Sequence, residues 1–216
     1  MRTFGICMEG CEDSLERLMV QSVARAQDEG SKRFQYVEVG VMHGSTLKAF
    51  SSILSENVRA PMVWSATGID IVLHEPSVLA LLAPLPAKIC DDPFDNGINL
   101  FVGPAVPFLT NVWKRPIDFA LIDGCHGKPC VMADFNAVAK HCCAGSVVVF
   151  HDVGALENEP GGPRASWQPH CEQFIGVAAA IDELGLHSEA SGWRQIAWID
   201  GDTARNGNSA AAFEKV

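Results

Sequence analysis

From Phe34 onward the chain alternates short apolar runs, rich in β-branched and aromatic residues, with segments whose apolar positions recur at helical spacing. FQYVEV, MVWSATGI, INLFV, IDFALI and SVVVF read as strands; STLKAFSSIL, PSVLALLA, VPFLTNVW, PCVMADFNAVAKHC and FIGVAAAIDEL read as the helices between them. Strands that are apolar on both faces belong to a parallel sheet covered by helices on both sides. The fold class is therefore α/β, a single-domain, doubly wound, mostly parallel sheet. In PCVMADFNAVAKHC, Val131, Phe135, Val138, Ala139 and Cys142 share one stripe, so they are core residues of a surface helix.

Both ends depart from this rhythm. Before the first strand, residues 1–33 form a helical cover, with a helix from about Ser14 to Ala26, Asp13 as its N-cap and Glu16 three residues later. At the other end LHSEA and WRQIAWI flank Ser191 and Gly192, a connection suited to a C-terminal antiparallel hairpin. Residues 1–200 are expected to form one domain and residues 201–216 a flexible tail. The Gly- and Pro-rich stretch from Gly154 to His170 is a long loop beside the fifth strand and is expected to act as a lid.

With 216 residues and 48% hydrophobic content the chain can fill a core without staples. The 26 acidic against 16 basic residues, a net charge of −10, argue against binding to nucleic acid, which needs clustered Lys and Arg to neutralise phosphates. The 18 residues between Asp95 and Lys114 carry no charge, but Gly97, Gly103, Pro104 and Pro107 break them into strand, turn and short helix, so no membrane span is expected. No apolar signal stretch builds up before Glu9, and a cytoplasmic location is the expectation. The eight cysteines then read as free thiols, and their spacing lacks the paired CxxC of a zinc site.

Ligands of an open parallel sheet bind beyond the carboxyl ends of its strands. There this sequence places Glu38, Gly40, Gly44, Ser45 and Thr46 after the first strand, Asp70 after the second and Gly103 after the third. Asp123 and His126 follow the fourth strand, His151 and Asp152 the fifth. The stretch YVEVGVMHGSTLKAF passes from strand through two glycines into a helix, which lets backbone approach a ligand. It lacks the third glycine of a dinucleotide fingerprint, and Asp70 falls later than such a fold needs, so a nicotinamide cofactor is disfavoured. Asp70 suits the hydrogen bonds of a ribose diol.

The tracts VEVGVMHGST (Val37 to Thr46), IDFALIDGCHGKPCVMADF (Ile117 to Phe135) and GSVVVFHDV (Gly145 to Val153) resemble class I S-adenosylmethionine-dependent methyltransferases, in particular the small branch of catechol-type and macrolide-sugar O-methyltransferases. The resemblance implies a Rossmann-like, seven-stranded fold and binding of S-adenosylmethionine. Glu38, Gly40, Gly44, Ser45 and Thr46 would hold its methionine portion, Asp70 its ribose, with the adenine near Gly103 to Ala105. It further implies a divalent metal at Asp123, His151 and Asp152, with His126 as catalytic base. Where many relatives have two oxygen ligands at the adjacent pair, this chain has His151. Oxygen-rich coordination points to magnesium, or to manganese if His151 enters the shell.

Methyl transfer from a sulfonium is an in-line displacement, so the protein must align the acceptor and make its oxygen anionic; a cation and a neutral imidazole do this. The expected partner is a small hydroxylated acceptor, a sugar or natural product, with a homo-oligomer compatible with the sequence. Two alternatives stay open: a non-haem iron enzyme using His126, His151 and a carboxylate, and a coenzyme-binding module without turnover.

Overall fold

The computed structural model describes residues 11–72, 97–153, 171–200 and 209–216. The predicted helix PSVLALLA, the Gly154 to His170 loop and residues 201–208 of the expected tail lie outside the described residues.

Seven strands form one sheet: β1 (Arg33–Val39), β2 (Val63–Asp70), β3 (Gly97–Val102), β4 (Ile117–Ile122), β5 (Cys142–His151), β6 (Trp193–Asp200) and β7 (Ser209–Lys215), in the order β3-β2-β1-β4-β5-β7-β6. The first five run parallel, and β7 is antiparallel to both β5 and β6. The central strands are buried along most of their length, as strands covered by helices on both faces are.

Among the described residues, four helices cover the sheet: α1 (Glu12–Asp28), α2 (Ser45–Asn57), α3 (Lys128–Ala139) and α4 (Cys171–Glu183). One core layer packs Leu15, Met19 and Val23 of α1 with Phe50 and Ile53 of α2 against Tyr36, Phe119 and Val149. The other packs Val131, Phe135 and Val138 of α3 and Val177 and Ile181 of α4 against Val37, Ala120 and Val148. VPFLTNVW forms a short helical stretch in which Phe108–Val112 is a π-turn, a form often found beside functional sites.

Two expectations about the ends are corrected. Helix α1 starts at Glu12 with Cys11 at its N-cap and no side-chain cap, so Asp13 sits inside the first turn; there Glu12 and Asp13 face the positive end of the helix dipole. The antiparallel pair is β6 with β7, whereas Glu189–Ser191 forms a 3₁₀ turn. Residues 209–215 of the expected flexible tail are thus a strand inserted between β5 and β6, with Ala210, Ala211, Ala212 and Phe213 wholly buried. Glu214 is held by Arg25 of α1 and Arg194 of β6, and Arg25 also donates to the Gly145 carbonyl, so the chain end is tied to the first helix.

Candidate active site

The strand order reverses at β1, from which the sheet extends through β2 on one side and β4 on the other, and a crevice opens at their carboxyl ends. Backbone from the two sides meets at its floor. The Gly40 N–H donates to the Ile69 carbonyl at 2.9 Å, and the Asp123 N–H to the Val39 carbonyl at 2.8 Å. Gly40 has φ +88°, and a Cβ there would lie 2.2 Å from the Asp123 carbonyl oxygen, so only glycine fits.

The turn from β1 into α2 is held from the neighbouring strand. Asp70 Oδ2 accepts the amides of Val41 and Met42, each at 2.8 Å, and Oδ1 accepts the Val72 amide at 3.2 Å. Met42 has φ 47°, a costly conformation for a side-chain-bearing residue, and these two hydrogen bonds hold it there. Glu38 lies deeper, 1% exposed, where its Oε2 accepts the Tyr36 hydroxyl at 2.6 Å. Burial pushes its carboxyl well above the usual carboxylate range against the pull of the Tyr36 hydrogen bond, and the charges of Asp123 and Asp70 push the same way.

On the β4 and β5 side four side chains converge. His151, wholly buried at the end of β5, places Nδ1 2.9 Å from Asp123 Oδ1 and 3.4 Å from Asp152 Oδ1. His126 Nε2 lies 3.4 Å from Asp123 Oδ1 and 3.6 Å from Asp152 Oδ2. Burial would raise the Asp123 pKa, but the His151 charge and the hydrogen bonds from both histidines outweigh it and hold the carboxyl below its ordinary value. For His151 burial opposes the charged form, yet the charges and hydrogen bonds of Asp123 and Asp152 hold its pKa well above the ordinary imidazole value. Asp152 has φ 54°, a strained conformation fixed by the packing of a residue only 6% exposed.

Asp123, His126 and Asp152 can each turn one ligand atom into a common space within 4.8 Å, a grouping able to hold a metal ion. His151 is outside that group, contrary to the ligand set of the sequence reading: its Nδ1 is engaged with the two acids, and its Nε2 is buried without a partner. It holds Asp123 from behind.

A cavity of ≈ 640 Å³ joins the two sides. Of the residues expected from sequence, Gly40, Asp70, Gly103, Asp123, His126 and Asp152 line it. Glu38, Gly44, Ser45, Thr46 and His151 do not; they form or brace the elements beneath. Met42, Ile71, Val72, Val106, Cys125, Cys130 and Asp134 also line it and were not singled out by sequence. Ile71 and Val72 directly follow Asp70, and apolar residues exposed at a strand tip were the available signal. Burial pushes the Asp134 carboxyl up to about 6. The Cys130 thiol is pushed up to about 11, first by its hydrogen bond with Cys125 and then by burial.

Residues 37–153 match the family described as "Methyltransferase domain". No curated protein sequence matches the chain. Among solved structures, the fold is similar to an O-methyltransferase from Bacillus cereus in complex with SAH, at 14% identity and TM-score 0.58, covering 91% of this chain and 80% of that one. It is also similar to TomG from Streptomyces achromogenes, an O-methyltransferase of tomaymycin synthesis in complex with SAM, at 18% identity and TM-score 0.57 over 92% and 79% of the two chains. CalS11, a TDP-rhamnose 3'-O-methyltransferase of calicheamicin biosynthesis, is similar at 16% identity and TM-score 0.57 over 93% and 76%. At such identities the likeness carries the fold alone.

Proposed function

The chain belongs to the methyltransferase domain family and is an S-adenosylmethionine-dependent enzyme, and from that premise we propose that it methylates a hydroxyl oxygen of a sugar or small natural product with the help of a divalent cation. The observation that carries this reading is the single cavity that places the Gly40 turn and Asp70 on one wall and Asp123, His126 and Asp152 on the other. Tomaymycin synthesis and rhamnose methylation, the roles of two structural neighbours, lie in the same substrate class.

The coenzyme is held along Gly40, Asp70 and Gly103. Asp70 Oδ1 keeps only one longer hydrogen bond and can accept from a ribose hydroxyl while Oδ2 fixes the turn. The acceptor hydroxyl sits near His126, whose Nε2 takes its proton as the methyl group is transferred in line. The carboxylates of Asp123 and Asp152, each within 3.6 Å of that nitrogen, stabilise the imidazolium that results. His151 donates from Nδ1 to Asp123 Oδ1 and fixes the acid's orientation.

The two carboxylates fit a magnesium or manganese ion, which Asp123 and Asp152 would hold, leaving the His126 imidazole free to act as base. When bound, such an ion stabilises the negative charge developing on the acceptor oxygen. A non-haem iron centre needs two imidazoles and one carboxylate with open positions, whereas the ligand-capable group among the described residues has one imidazole.

His126→Ala separates base from ligand. The expected result is a fall in methyl transfer of about 10²- to 10⁴-fold, with manganese binding followed by electron paramagnetic resonance retained. Loss of manganese binding in that variant would make His126 a ligand instead, and an unchanged rate would remove it from the reaction. A pure binding module would bind coenzyme yet methylate nothing in a panel of hydroxylated acceptors.

A further inference from the structure

The wall of the cavity that carries His126 also holds an acid that the proposed methyl transfer does not use. Asp134 stands at the middle of α3, seven residues into a helix of 12, so the dipole of neither helix end reaches it. The residues one turn away on either side, Cys130, Val131, Ala137 and Val138, offer no cation. Lys128, the lysine of this helix, is engaged by Glu183 of α4. Asp134 is half-buried and lines the cavity with Cys130 and Ala133. Its Oδ2 faces the backbone between Asp123 and Cys125, where a Cβ on Gly124 would lie 3.8 Å from it. Among the described residues its carboxyl has no hydrogen-bond donor and no ion-pair partner, and it is outside the ligand-capable group of Asp123, His126 and Asp152. An acid withdrawn from water without a donor costs the free protein stability. The donor that offsets this cost has to come from what enters the cavity.

The place of Asp134 indicates which ligand brings that donor. Gly40, Asp70 and Gly103, at the ends of β1, β2 and β3, form the coenzyme side, whereas Asp134 stands with His126 on the β4 side. An acceptor with one hydroxyl at His126 therefore meets Asp134 on the same wall. A second hydroxyl is the neutral donor that a sugar or a polyhydroxylated natural product carries. Met42, Ile71, Val72 and Val106, which also line the cavity, are apolar and reject an acceptor that lacks a hydroxyl only weakly. A carboxylate that needs a donor rejects it strongly, because the acid is then left unpaired.

We propose that Asp134 is a specificity-determining residue whose carboxylate accepts a hydrogen bond from a second hydroxyl of the acceptor, so that the enzyme selects diols and polyols over molecules with a single hydroxyl. The proposal rests on the reading of the cavity as a methyl-transfer site and names the substrate class of that site more closely.

The test follows binding to the full-length protein by saturation-transfer nuclear magnetic resonance, with S-adenosylhomocysteine at saturation and EDTA present so that no divalent cation can hold a second hydroxyl. The probes are catechol paired with phenol, and methyl α-rhamnoside paired with each of its monodeoxy analogues. In at least one pair the parent is expected to bind the fully hydroxylated probe about tenfold or more tightly than the analogue lacking one hydroxyl, the worth of a hydrogen bond to a charged group. Asp134→Ala should erase the difference, and Asp134→Asn, which keeps a neutral acceptor, should restore part of it. In both variants the urea midpoint of the ligand-free protein should rise, because an unpaired half-buried charge is removed, and S-adenosylhomocysteine affinity should stay that of the parent. Equal binding within every pair by the parent, binding of none of the probes, or a preference that survives in Asp134→Ala would overturn the proposal. A lower urea midpoint in both variants would overturn it as well, since Asp134 would then serve the fold. S-adenosylhomocysteine binding by the parent, measured in parallel by calorimetry, reports separately on the methyltransferase reading.

Discussion

Asp118 shows how a single buried charge sets stability. Its Oδ2 accepts the Gln35 amide at 2.7 Å, just below the point where β1 and β4 begin to pair. Burial pushes its pKa from 3.8 to about 6, against the Gln35 hydrogen bond and the charge of Arg25. An acid whose folded pKa is raised is bound more tightly to its proton by the native state, so its contribution is fully present at low pH and is lost as pH rises from about 4 to about 6. Asp118→Asn keeps an acceptor for the Gln35 amide and removes the buried charge. Urea unfolding at pH 7 is expected to show a gain of about 1–3 kcal/mol over the parent, shrinking toward zero by pH 4. A loss at pH 7 would mean that the Arg25 attraction exceeds the burial cost.

At the scale of elements, the site depends on how α4 meets the turn after β4. Gly176 lets the helix lie on the backbone of His126 and Lys128. Gly176→Ala is therefore expected to destabilise by about 1–3 kcal/mol and to lower turnover beyond what the remaining folded fraction explains, because the displaced segment carries His126. Circular dichroism melting together with a rate normalised to folded protein checks this; an unchanged rate per folded molecule would show that the turn tolerates the shift. The five parallel strands were legible in sequence because each is an apolar run between turn residues, and the strand tips therefore located Gly40, Asp70, Asp123 and Asp152. Whether a tip residue faces the cavity or the layer beneath was not legible. Glu38 and His151 stand at strand ends like the others, but the pleat turns Glu38 toward Tyr36 and His151 toward Asp123. Strand β7 was missed for a different reason: SAAAFEK is rich in alanine and ends in charges, a poor strand by propensity, and it is held by burial between β5 and β6 and by the Arg25 and Arg194 contacts to Glu214.

For the whole molecule, β7 closes the structure by joining the last strand added to the first helix. Its alanines and Phe213 fill space between β5 and β6 that no other described element reaches, and Phe213 packs edge-on against Phe150 at 5.8 Å. Removing residues 209–216 is expected to abolish cooperative unfolding, since it opens both core layers and leaves the edges of β5 and β6 unpaired. A truncated protein with an unchanged urea midpoint would show that the sheet is complete without it. Within this frame, the turn held by Asp70 and the acid and imidazole cluster face one another across a single cavity. Calorimetric titration of S-adenosylhomocysteine into the parent protein and Asp70→Ala tests that arrangement most directly. The account predicts saturable binding at one site per chain for the parent, weakened about tenfold or more in the variant through loss of charged hydrogen bonds, with unfolding cooperativity retained. Equal affinity in the two proteins, or no binding by the parent, would contradict it.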